Sequence, residues 1–170
     1  MRHLAALAVA LAATACATVP PPAIPLDGLP EAFDMAGRMA VTSDGRGEIF
    51  RVRWSRSPQS EFWVVSSPVG TELARIERTV DGMRVLRPGS EAVEAASFAD
   101  LTEAVLGAAL DERLLVAWLH ARPAAGPEGW TVAIDEARVV GDARVARRIT
   151  ATRDGVGVKL VVDDYSVPRE

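Results

Sequence analysis

The sequence is poor in the residues from which most reactive sites are built. It holds one cysteine, Cys16, and two histidines, His3 and His120. A single thiol allows no intramolecular disulfide, so the fold must stand on packing alone. A zinc site needs several converging ligands, which one histidine of the leader, one elsewhere and a lone cysteine do not supply. Also missing are a G-x-S-x-G elbow, a phosphate-cradling glycine loop and a dinucleotide fingerprint. Basic charge is not in excess either: Lys+Arg number 19 against 23 Asp+Glu, for a formal net charge of -4. That balance lacks the basic footprint of a nucleic-acid-binding protein. The longest apolar run, Leu4–Ala13, is about ten residues, against roughly twenty for a membrane-spanning helix. No enzyme, cofactor or metal is therefore expected, and nucleic acid is not an expected partner.

The remaining polar candidates read as structural. His120 stands at a helix end before Arg122-Pro123, where an imidazole suits the C-terminal dipole. The pairs Asp163-Asp164, Asp135-Glu136 and Arg147-Arg148 are adjacent in strands, where neighbours point to opposite faces. They are expected as solvated strand ends.

What is present begins with a leader. Arg2, the run Leu4–Ala13 and the small residues Thr14-Ala15 have the layout of a secretion signal over residues 1–15. Ala13-Thr14-Ala15-Cys16 resembles a lipobox, with Ala13 where leucine is commonest, so Cys16 is expected to be acylated and to anchor the chain. Ala17, in place of the aspartate that commonly retains lipoproteins at the inner membrane, favours the outer membrane. Pro20, Pro21, Pro22 and Pro25 make residues 16–28 an extended tether. The folded domain is expected over residues 29–170.

Within that domain, period-two patterning alternates with turn signals. Met35, Gly37, Met39 and Val41 share one face until Ser43-Asp44-Gly45. Phe50, Val52 and Trp54 then alternate with Arg51 and Arg53, as in a half-buried antiparallel strand. Phe62–Val65, apolar on both faces, follows Ser57-Pro58-Gln59. A strand over Glu72–Thr79 leads to Asp81-Gly82, a two-residue hairpin signal, with Met83–Arg87 returning and a short Ala92–Ala96 strand after it. Ser97 can cap a helix with Phe98, Leu101 and Val105 on one face, ended by Gly107. A second helix, Asp111–His120, gathers Leu114, Leu115, Trp118 and Leu119. Strands resume around Trp130–Ile134, Arg147–Thr152 and Val158–Asp163.

Strands, two helices, then strands argue for an α+β fold: a curved, unclosed antiparallel β-barrel with helices covering its concave apolar face. Patterning alone fits a closed core and a lipid-accepting cavity equally well, because both require the same periodicity.

The ordered set of segments resembles the LolB family of outer-membrane lipoprotein receptors. It comprises the lipobox, Phe33 with Gly37-Arg38-Met39-Ala40-Val41, the strand ending in Trp54, and Ser66-Ser67-Pro68-Val69-Gly70-Thr71-Glu72-Leu73. Leu106–Leu110, Leu114–Leu119 and Gly129-Trp130-Thr131-Val132 complete it. The resemblance implies a monomer that takes acylated lipoproteins from a periplasmic LolA-type carrier and inserts them into outer-membrane lipid, without nucleotide hydrolysis. The carrier lacks a lipobox, so Cys16 points to the receptor. On this reading the acyl-chain pocket is lined by Met39, Val41, Phe50, Val52, Trp54, Ile76, Val85, Leu101, Val105, Leu115, Trp118 and Trp130. Pro68, Val69 and Gly70 form the membrane-transfer loop, Val69 standing where the family usually has leucine. Tyr165 is the aromatic nearest to where the family usually ends its last strand on tryptophan. The other reading consistent with a tethered sheet protein is a scaffold subunit of an outer-membrane assembly complex.

Overall fold

The computed structural model describes Ile24 and residues 26–79, 82–126 and 129–168. The leader, Cys16 and most of the tether lie outside the described residues, as does Asp81 of the expected hairpin signal. Strands β1 (Phe33–Ser43) and β2 (Arg46–Arg56) open the fold as a long hairpin. Both turn residues, Asp44 and Gly45, have positive φ (51° and 75°), the geometry that matches a two-residue turn to the twist of its strands. β3 (Glu61–Ser66), β4 (Glu72–Thr79), β5 (Gly82–Leu86) and β6 (Val93–Ala95) continue the meander. Helices α1 (Phe98–Leu106) and α2 (Glu112–Leu119) follow, then β7 (Thr131–Val140), β8 (Ala143–Arg153) and β9 (Val156–Ser166).

All nine strands form one antiparallel sheet in the order β6-β5-β4-β3-β2-β1-β9-β8-β7. β9 closes back onto β1, so the first and last strands of the chain lie side by side at its centre. The sheet is curved and stays unclosed, with β6 and β7 as its edges. Its concave face carries the alternation read from the sequence: Phe33, Met35, Met39 and Val41 on β1, and Phe50, Val52 and Trp54 on β2, are buried. Gly37 continues this row without a side chain. A Cβ there would collide with the Val161 carbonyl, where the β1–β9 register shifts by one residue.

Both helices are capped as their sequences dictate. The Ser97 hydroxyl accepts from Asp100 N, and Gly107, in the left-handed region, donates to Glu103 O. Asp111 caps α2 by accepting from Leu114 N at 3.0 Å, so Asp111 and His120 flank the helix rather than belong to it. Leu114–Leu119 are buried throughout, and backbone carbonyls of the segment preceding β1 are tied to α2 and to the residues just after it. Arg113 donates to Ile24 O at 2.7 Å and Arg122 to Asp27 O at 2.9 Å. Ile24 is itself buried, and Leu26 and Leu29 pack on the core. Apolar packing thus starts five residues before Leu29, the expected domain boundary (29 − 24 = 5).

Other boundaries moved for local reasons. Gly82 pairs with Thr79 and belongs to β5, not to the turn. β8 starts four residues before the expected Arg147 (147 − 143 = 4); register shifts against β7 break the alternation and leave Val145 and Ala146 both buried. On α1 the buried set is Phe98, Leu101, Thr102 and Leu106. Val105, although in phase with Phe98 and Leu101, is only partly buried.

Candidate functional site

The concave face and the two helices enclose one continuous apolar interior. Met39, Val41, Phe50, Val52, Trp54, Ile76, Val85, Leu101, Leu115, Trp118 and Trp130 all lie in it, and Val105 packs at its edge. In this structure that space is filled by the protein's own side chains. A chain of ring contacts runs through it: Phe33 meets Trp54 edge-on at 4.8 Å, Trp54 meets Trp63 at 4.4 Å, and Trp63 meets Phe98 of α1 at 5.2 Å. Further along, Trp118 of α2 meets Trp130 at 5.5 Å and donates from Nε1 to Ala124 O. Sequence reasoning picked Trp54, Trp118 and Trp130 but passed over Phe33, Trp63 and Phe98, although the same alternation and helical face carry them.

Polar contacts sit at the ends of the helical cover. Glu112, the first residue of α2, pairs with Arg78 of β4 and, at 3.2 Å, with Arg56 of β2. Glu61 of β3, 3% exposed, accepts from Trp54 Nε1 at 2.7 Å and from Arg78 at 3.3 Å. Burial first, and then the nearby Glu112 carboxylate, push the Glu61 pKa up. On α1, Arg87 donates to Ala104 O at 2.9 Å. Leu110 N donates to the buried Thr102 hydroxyl, which tethers the link between the helices.

At the opposite end of β3 from the Glu61 cluster, Ser67–Thr71 form a tight loop. Gly70 N donates to Ser67 O, Ser67 N to Thr71 O, and Thr71 N to the Ser67 hydroxyl. With its backbone satisfied in this way, the loop presents Val69 at its tip, 89% exposed.

A family profile described as "Outer membrane lipoprotein LolB" matches residues 31–128, from just before β1 through both helices. The outer-membrane lipoprotein LolB of Thiobacillus denitrificans is 32% identical, over 97% of this chain and 98% of the relative. The chain belongs to the LolB family. The Chromobacterium violaceum LolB is 28% identical over 97% of this chain and 99% of its own length. Among solved structures, a LolA superfamily protein from Nitrosomonas europaea superposes with a TM-score of 0.46 at 8% identity, covering 82% of this chain and 87% of that one.

In this LolB-family chain His120 holds the far end of α2. Its Nδ1 lies 2.8 Å from Val116 O and its Nε2 2.9 Å from the Tyr165 hydroxyl. A carbonyl only accepts, so Nδ1 carries the proton and the neutral ring accepts from Tyr165. Burial lowers the His120 pKa from its ordinary 6.5 and pushes that of Tyr165 up to about 12. A histidine whose folded pKa is depressed contributes stability above the unfolded value and loses it as pH falls through the folded one. The urea midpoint should therefore fall as the pH is lowered below about 6.5. His120→Gln should show a smaller drop, and an equal drop in both proteins would place the acid sensitivity elsewhere.

The paired charges behave differently from the solvated strand ends that were expected. The extra residue at the β1–β9 register shift is Asp163, so Asp163 and Asp164 are both exposed. Asp163 is an ion-pair partner: Arg38 grips it through Nε at 3.0 Å and Nη2 at 2.8 Å, and that bond holds its pKa below the usual range. A second shift, between β7 and β8, exposes both Arg147 and Arg148 in mid-strand, and Arg147 meets Glu136 at 3.3 Å. Asp135 likewise sits in mid-strand, accepting from the Thr150 hydroxyl. Among the described residues no cluster of His, Cys, Asp and Glu could hold a metal ion.

Proposed function

We propose that this chain accepts acylated lipoproteins from a LolA-type periplasmic carrier and releases them into the outer membrane, to which Cys16 anchors it. The receptor role in lipoprotein localisation and the outer-membrane location follow from LolB membership. The observation that carries the mechanism is an apolar interior lying between an unclosed sheet and two short helices whose polar ties sit at their ends.

Lifting the cover exposes side chains such as Leu101, Leu114, Leu115 and Trp118, each worth about 1.5–3 kcal/mol when buried. Opening into water is therefore unfavourable. An acyl chain offers about 0.8 kcal/mol per methylene, so a chain of roughly fifteen methylenes, near 12 kcal/mol by the same scale, offsets the lost contacts. Cargo and cover then exchange places along the same surface. Transfer runs downhill, from the carrier's cavity to this one and on to the bilayer, with no nucleotide needed.

The test uses the mature chain carrying Cys16→Ala and a fluorescent apolar probe. The probe should bind and be displaced by an acylated peptide. Glu112→Gln, which weakens the tie of α2 to Arg56 and Arg78, should speed probe entry by about fivefold, the effect of removing roughly 1 kcal/mol. A protein that binds neither probe nor acylated peptide would overturn the receptor reading. An unchanged entry rate in Glu112→Gln would show that α2 is not the gate.

A further inference from the structure

The outer face of the sheet carries a charge arrangement that the interior does not require. On β2, Arg51 and Arg53 are exposed on either side of buried Val52, and Arg51 stands directly opposite Arg38 of β1. Arg38 in turn faces Val161 of β9, which faces Arg148 of β8. One line across four strands thus bears three guanidinium groups. Like charges directly opposite in a sheet are unfavourable. Asp163 relieves this in part by taking both hydrogen bonds of Arg38. Among the described residues no side-chain hydrogen bond engages Arg51 or Arg53, although Arg51 is near enough to Asp163 to help lower its pKa.

These groups surround a hollow. Arg38, Arg51, Arg53, Ser66 and Gly70 line a depression of about 660 Å³, with Glu72 and Asp163 on its wall. Each of those carboxylates is already engaged, Glu72 by Arg75 and Asp163 by Arg38. Gly70 connects the hollow to the transfer loop, whose Val69 is 89% exposed. Ile49, 59% exposed, lies on the same face of β2 two residues from Arg51. Apolar side chains on a face with more arginines than carboxylates match a bilayer surface, where phosphates lie above hydrocarbon. Lys159 is the one lysine of the sequence, so every other basic side chain is arginine, whose planar fork suits phosphate oxygens.

We propose that this hollow binds the phosphate headgroups of anionic phospholipids, so that the Arg38–Arg51–Arg53 face docks on the membrane together with the Val69 tip. The proposal rests on the receptor reading for its partner, the membrane that receives the cargo. A chain of net charge -4 is repelled as a whole by an anionic surface, so a locally basic face determines which side meets the bilayer. The partly neutralising Glu72 and Asp163 keep that contact weak enough to reverse.

The experiment measures sedimentation of the mature Cys16→Ala chain with phosphatidylcholine vesicles, with and without phosphatidylglycerol. Binding should require phosphatidylglycerol and weaken as salt rises. Arg51→Gln with Arg53→Gln should reduce it by roughly tenfold or more, the usual weight of two basic side chains at such a surface. Acyl-peptide binding by the double variant should stay at the wild-type level. Equal binding to both vesicle types, or a double variant that sediments like the wild type, would overturn the proposal. So would release by inorganic phosphate beyond that caused by chloride at equal ionic strength, which would mark a small-anion site. Loss of acyl-peptide binding in the wild type would instead strike the receptor reading, so the two failures are distinguishable.

Discussion

Replacing Cys16 by alanine should leave a protein that labelled palmitate does not mark and that fractionates as soluble once exported. The effect is close to all-or-none because lipid anchoring is steeply cumulative. Each buried methylene contributes about 0.8 kcal/mol; one chain holds only marginally, and two or more hold firmly. Among the described residues no helix is long and apolar enough to cross a membrane. The weak headgroup contact proposed for the arginine face would not retain the chain through washing. Continued palmitate labelling of the variant would place the acyl group on another residue and remove the lipobox assignment.

The second large effect is expected at Val69. Val69→Glu should fold normally, because the side chain touches little and the loop is held by its own backbone bonds. It should still take lipoprotein from the carrier, since the apolar interior is untouched. Release into liposomes should slow by an order of magnitude or more, because a carboxylate at the tip must be desolvated to enter the interface, costing about 2–3 kcal/mol or more. Val69→Leu should match or exceed the wild type. Measuring the two half-reactions separately, with purified carrier, receptor and liposomes, decides the matter. Wild-type delivery by Val69→Glu would reduce the loop to a turn.

The fold was legible in the sequence wherever one rule governed one element. Strict alternation identified Met35–Val41 on β1 and Phe50–Trp54 on β2 as the concave face, and Ser97, Gly107 and Asp111 marked the helix ends. Legibility failed where two rules competed. A register shift makes two neighbours share a side, so the opposite-faces argument does not hold for Asp163 and Asp164 or around Arg147. Val105 is in phase with Phe98 and Leu101, as the sequence implied, yet it is only partly buried, and Thr102 and Leu106 complete the buried set of α1. Glu61 was overlooked as a polar strand start, although its spacing to Trp63 and Val65 placed it inward, where the Trp54 indole satisfies it. In the tether, proline content obscured the spacing of Ile24, Leu26 and Leu29. The lipid-handling assignment came from resemblance, because packed core and cargo chamber leave the same periodic trace.

The hydrogen bonds that hold Ile24 and Asp27 would, with the anchor proposed at Cys16, set a working radius for the whole protein. Cys16 and Ile24 are eight residues apart (24 − 16), a contour of at most about 28 Å when fully extended. The leash would therefore end at the Arg113–Ile24 and Arg122–Asp27 hydrogen bonds, the first made by α2 and the second by the segment just after it. With the anchor and the α2 gate as proposed, drag between bilayer and domain would reach these two bonds first, which would make the anchor a mechanical handle on the gate. Under the proposed receptor reading, a carrier would have to come within that short radius of the lipid to hand over its load, so the exchange would take place at the membrane surface and not out in the periplasm.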